Sequence, residues 1–150
     1  MGKKVLMVCL GNICRSPLAE GILKSKKTSD TIVDSAGTGA WHVGNLPDLR
    51  SISVAEKHGI DITDQRARQF KESDLDEFDF IYVMDRSNYN NVLSMCVSKA
   101  QCAKVKLILN EIEENNAEVP DPYYGEGDGF ERVYQMLDLA CDKIVEKHQL

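Results

Sequence analysis

Cys9 and Arg15 stand with five residues between them in the run Cys9-Leu10-Gly11-Asn12-Ile13-Cys14-Arg15-Ser16-Pro17. The run follows a short apolar stretch and precedes a helical pattern. A loop at such a junction offers main-chain N–H groups and a helix N-terminus to an anion. Gly11 and Asn12 are residue types that tolerate left-handed backbone, which a loop curling its amides inward requires. Pro17 suits a first helical turn, where its missing N–H is not needed. The loop formed by Leu10, Gly11, Asn12, Ile13, Cys14, Arg15 and Ser16 is therefore expected to be an amide nest. Cys9, aimed into that nest beside an arginine and a helix dipole, is expected to work as a thiolate nucleophile. Arg15 can grip two phosphate oxygens at once. The Ser16 hydroxyl can donate to the Cys9 sulfur and stabilise it both as an anion and as a leaving group. No lysine follows the glycine as a nucleotide P-loop would require, and one glycine does not make a dinucleotide fingerprint.

The segment CLGNICRSPLAE (9–20) resembles the phosphate loop of the low-molecular-weight protein tyrosine phosphatases. The resemblance extends to DSAGT (34–38), Trp41 with Val43-Gly44, KHGI (57–60), ARQF (67–70), Met84-Asp85 and Asp-Pro-Tyr-Tyr at 121–124, and so covers the chain. It implies hydrolysis of phosphotyrosine and other aryl phosphates in proteins through a phosphocysteine on Cys9, with inorganic phosphate or vanadate as further ligands. Expelling a phenolate, whose conjugate acid has a pKa of ~10, calls for a proton donor. The resemblance gives that role to Asp121, which Pro120 and Pro122 flank. Trp41, Tyr123 and Tyr124 are expected to wall a slot for an aryl ring, since adjacent tyrosines beside Gly125 suit stacking better than burial. By resemblance, both tyrosines are candidates for phosphorylation, Ser35 holds a strained Asn12, and Cys14 forms a reversible disulfide with Cys9 under peroxide. Asp85, at a strand end, is a candidate to support the site from behind. One departure stands at Asp64-Gln65-Arg66, where family members often carry a histidine and where this chain reads a residue longer; it bears on supporting hydrogen bonds.

Three other readings compete. A thiol-dependent arsenate reductase shares a Cys-x5-Arg loop and adds two relay cysteines, which Cys96 and Cys102 superficially imitate. However, those two fall in a helical stretch, and an aromatic slot would have no purpose. A phosphoarginine phosphatase would resemble relatives that carry threonine where Ile13 stands. A non-catalytic phosphate-binding module would be expected to lack Cys9 or Asp121.

These residues must be positioned by alternating strands and helices: strands at 3–8, 31–37, 78–84 and 105–109, and a helix from Arg15 to about Lys26. A second helix is expected from Pro47 to His58 with Gly59 as its stop, a third capped by Ser87 and running to Ala100, and a long amphipathic one from Phe130 to Val145. His42 is expected on an exposed loop, His58 at a helix end, and 111–118 in a solvated acidic loop. That order predicts an α/β fold: one domain over residues 1–150, with a four-stranded parallel twisted sheet, helices on both faces and the phosphate loop between first strand and first helix.

Composition narrows the partners. A net charge of −6 argues against nucleic acid, which needs a basic face. It also means that attraction for a phosphate must be concentrated locally. No apolar run approaches a membrane-spanning length and no signal peptide is apparent. Five cysteines, an odd number, point to reduced thiols and a cytoplasmic location. Three scattered histidines and no Cys-x-x-Cys leave no metal site and no cofactor to expect. Cys96, Cys102 and Cys141 are expected to be packing thiols.

Overall fold

The computed structural model describes residues 2–113, 115–123, 125 and 127–150. Six-residue β1 (Lys4–Cys9) lies between β2 (Ile32–Gly37) and β3 (Phe80–Val83), and β4 (Val105–Leu107) closes the other edge. The order is β2-β1-β3-β4 and every pairing is parallel. Parallel neighbours need crossovers, which the helices supply.

A sheet buried on both faces needs near-continuous apolar strands, and Val5 to Val8 are all fully buried. Their alternation divides the core in two. Val5, Met7 and Cys9 face α1 (Arg15–Lys26) and α6 (Gly129–His148), together with Leu18, Ile22, Leu137 and Ile144. Leu6 and Val8 face Leu75, Phe78 and Val92 on the side of α3 (Asp74–Glu77) and α4 (Arg86–Leu93). Helices thus cover both faces, in the architecture the sequence pattern predicts.

Several boundaries differ from expectation. The helix after β3 is capped by Asp85, not Ser87: the Asp85 carboxylate accepts from the Asn88 amide at 2.8 Å. It ends at Leu93, and Ser98 caps a separate turn, α5 (Lys99–Cys102), by accepting from Gln101 N–H at 3.1 Å. The competing serine cap splits what periodicity reads as one helix. α2 (Leu49–Lys57) begins two residues after Pro47, which stands before the helix and not in its first turn; Asp48 caps it by accepting from the Arg50 amide at 2.9 Å. Gly59 lies just past it with φ +78°, as a C-terminal stop requires. β4 gives way after Leu107 to a 3-10 turn, Ile108–Glu111. Among the described residues no helix is long and apolar enough to cross a membrane.

Candidate active site

β1 delivers Cys9 to the carboxyl end of the sheet and α1 begins at Arg15, so the intervening loop sits at the crevice where open parallel sheets bind ligands. Four of its carbonyls are held from outside. Thr38 N–H donates to Cys9 O, Gly39 N–H to Leu10 O, and Asp48 N–H to Ile13 O, at 2.8–2.9 Å. The Ser51 hydroxyl donates to Cys14 O at 3.2 Å. Across a planar trans peptide the next N–H points the opposite way. The amides of Leu10, Gly11, Cys14 and Arg15 are thereby turned away from those supports.

These four residues, with Cys9, Ile13, Trp41, His42, Asp121 and Tyr123, line a cavity of about 290 Å³. Cys9 is its floor and is only 2 % exposed. The Cys9 Sγ lies 3.0 Å from Ser16 Oγ and accepts from the Asn12 amide at 3.3 Å. Asn12 has φ +57°, a left-handed conformation that costs a non-glycine residue on the order of 1 kcal/mol. Its side chain repays this by using every polar atom. Nδ2 donates to Ser16 Oγ at 2.8 Å and to Ser35 Oγ at 3.0 Å, while Oδ1 accepts from Arg68 N–H at 3.0 Å. Ser35 in turn donates to buried Glu20 at 2.6 Å, and Lys24 donates to the same carboxyl group at 2.6 Å. Burial pushes the Glu20 carboxyl upward against the pull of Lys24 and Ser35. Because Ser16 Oγ accepts from Asn12, its own hydrogen is free to point at the sulfur.

Arg15 is also 2 % exposed. One terminal nitrogen donates to Asp85 at 2.7 Å and to Val119 O at 3.0 Å; the other is 3.8 Å from the Asp121 carboxylate. Burial opposes its charge, but the Cys9 sulfur, Asp85 and Asp121 outweigh that and raise its pKa. Asp85 therefore does two jobs from the end of β3: one oxygen caps α4 and the other fixes the arginine. Glu20, a conceivable partner for Arg15, is engaged elsewhere. Burial, then Asp48, then Cys9 push the Cys14 thiol well up.

At the mouth, Tyr123 N–H donates to Asp121 Oδ1 at 3.0 Å. The Arg50 guanidinium sits over the Tyr123 ring, 5.4 Å from its centroid. The Trp41 indole is 73 % exposed yet has a fixed base, because a Cβ added at Gly39 would fall 2.0 Å from its ring. Tyr124 lies outside the described residues. His42 departs from expectation: it is half-buried, lines the cavity and packs over Gly11, where an added Cβ would meet its ring at 3.0 Å. Arg50, Arg68 and Val119 also escaped the sequence pattern. Their contributions are a ring contact, a main-chain amide and a carbonyl, none of which leaves a spacing signature. At the departure near Gln65, the Gln65 side chain donates to Pro17 O at 3.0 Å and so supports the first turn of α1.

The chain's sequence and its parallel α/β fold match enzymes of known class. A crystal structure of a protein tyrosine phosphatase from Entamoeba histolytica superposes with a TM-score of 0.90 at 37% identity, covering 99% of this chain and all of that one. A Drosophila arginine phosphatase superposes at 0.89 with 32% identity over 98% of each chain. Low molecular weight phosphotyrosine protein phosphatase 1 of Drosophila melanogaster is 42% identical over 146 residues, 94% of each chain. The chain is a protein tyrosine phosphatase by this kinship. With the family profile matching residues 4–149, it belongs to the low molecular weight phosphotyrosine protein phosphatases.

Proposed function

We propose that residues 1–150 form one catalytic unit that hydrolyses phosphotyrosine in proteins, and small aryl phosphates, in two displacements at Cys9. In the first, the Cys9 thiolate attacks phosphorus in line, the phosphorus–phenolate bond breaks, and Asp121 gives its proton to the departing oxygen. In the second, Asp121 takes a proton from water as that water attacks the phosphocysteine, and the sulfur leaves as thiolate with the Ser16 hydroxyl donating to it. Arg15 and the amides turned away from their outer carbonyl supports hold the equatorial oxygens, where charge stabilisation matters most in phosphoryl transfer. Inorganic phosphate and vanadate would occupy the same nest.

The observation that carries this reading is the Cys9 sulfur lying 3.0 Å from a hydroxyl that already accepts from Asn12, in a cavity whose lining also includes the buried Arg15 and Asp121. Trp41 and Tyr123 are proposed walls for the ring. Ile13, also on the lining, offers no hydroxyl to a phosphoguanidinium, so tyrosine is favoured over arginine. Cys96 and Cys102 line a separate surface hollow that shares no residue with this cavity, so they are poorly placed as an arsenate relay.

Cys14 lines the same cavity as Cys9, which places it to act as a resolving thiol. Peroxide would convert Cys9 to a sulfenic acid, and Cys14 would displace water from it to form a disulfide. All five cysteines are free, in keeping with a reducing, cytoplasmic setting.

The test is Cys9→Ser, assayed on para-nitrophenyl phosphate and on phosphotyrosine, phosphoserine and phosphoarginine peptides beside the parent protein. The parent should prefer phosphotyrosine. The variant should lose turnover while still binding vanadate, and retained turnover would end the mechanism.

A further inference from the structure

A second hollow of about 290 Å³ adjoins the catalytic cavity, and Leu10 and Trp41 line both. The exposed indole is the wall between them, standing on Gly39. On the far side the lining is Phe70, Val92 and Met95, with Thr38, Gln69, Asn91 and Ser94 as its polar members. Among the described residues, no charged side chain lines it. The Thr38 hydroxyl oxygen is buried and makes no hydrogen bond within the described residues. Thr38 O, by contrast, is occupied by the Gln69 amide at 3.3 Å.

We infer that this hollow is a second recognition subsite, which takes an apolar side chain of the substrate polypeptide close to the phosphotyrosine. The inference rests on the reading of the first cavity as the phosphotyrosine slot. A phosphotyrosine seated there is part of a chain, which must leave past one of the slot walls. An extended residue advances roughly 3.3–3.6 Å, so a crossing of the indole edge brings a side chain one to three positions away over the hollow. The exit beyond Tyr123 meets the charged pair Arg50 and Asp48, joined at 3.0 Å, with Arg50 over the Tyr123 ring. The exit beyond Trp41 meets neutral, largely apolar lining. An aliphatic or aromatic side chain fits that chemistry. A charged one would lose its hydration there without gaining a partner.

The experiment compares kcat/KM for phosphotyrosine peptides carrying leucine, alanine, aspartate or lysine at each of the three positions on either side. Leucine at one position should exceed alanine by about tenfold, within the range that apolar pockets discriminate. Aspartate and lysine should fall at or below alanine. Ser94→Glu and Met95→Gln, on the exposed lip and the partly buried wall, should bring the leucine-to-alanine ratio to near one while para-nitrophenyl phosphate turnover stays unchanged. A parent enzyme that turns over these peptides with no apolar preference at any position, or a preference that survives both variants, overturns the subsite and leaves the phosphatase reading standing. Absence of phosphotyrosine turnover would instead strike the reading of the slot, and the subsite with it.

Discussion

In the proposed mechanism Cys9, Arg15 and Asp121 divide the labour of one reaction, and their surroundings differ accordingly. The first two are buried and fully supported, whereas Asp121 stands on the rim, more than a third exposed. A proton donor that later activates water needs solvent access; a nucleophile and a phosphate clamp do not. Asp121→Asn should slow aryl phosphate cleavage by ~10²–10⁴-fold, the usual contribution of general acid–base help. Phosphate affinity should change little, and an unaltered steady-state rate would remove the residue from the mechanism. The types and spacing of the loop residues are legible in the sequence because nest, thiol and guanidinium each demand a particular residue. His42 is not legible: its place over Gly11 depends on how the loop after β2 folds back, which no local pattern encodes.

At the scale of elements, the site depends on β2 running hard against the phosphate loop. Gly37 pairs with Cys9 across the sheet, and a Cβ there would lie 2.8 Å from Leu10 O and 3.0 Å from Gly11 C. Both neighbours are backbone and cannot swing aside. Gly37→Ala should therefore displace the nest, raising KM for aryl phosphates several-fold or more; an unchanged KM would show that the loop yields without loss. The segment Ala67–Phe70 flanks this contact. Arg68 N–H holds Asn12, and the Arg68 side chain ties Asp34 at 3.1 Å and buried Asp74 at 3.0 Å. Strand and helix order was readable from periodicity, since buried parallel strands are short apolar runs. Helix ends were less so. Asp85 took the cap from Ser87, and Asp48 and Ser98 are caps where the sequence reading named none, because their oxygens reach an amide two or three residues ahead, a matter of local geometry rather than composition.

Across the whole molecule, the end of α6 is tied to the sheet by polar groups as well as by packing. His148 stacks on Phe80 with centroids 3.9 Å apart, its Nε2 is 2.9 Å from the Tyr82 hydroxyl, and that hydroxyl donates to Glu111 at 3.2 Å. Burial lowers the His148 pKa, Glu111 opposes this, and Lys147, Lys3 and Lys106 reinforce it. The unfolded chain therefore binds a proton on this histidine more readily than the folded one. Stability contributed here is present above the ordinary value of ~6.5 and is lost as pH falls through it toward the lower folded value. Thermal stability should decline over that window, and His148→Phe should flatten the decline; an equal slope in both proteins would exclude the residue. One further property follows from Trp41. It is the chain's single tryptophan, and it stands in water at the doorway rather than in the core. Ultraviolet emission from this protein consequently reports on who occupies the doorway and hardly at all on whether the interior is intact.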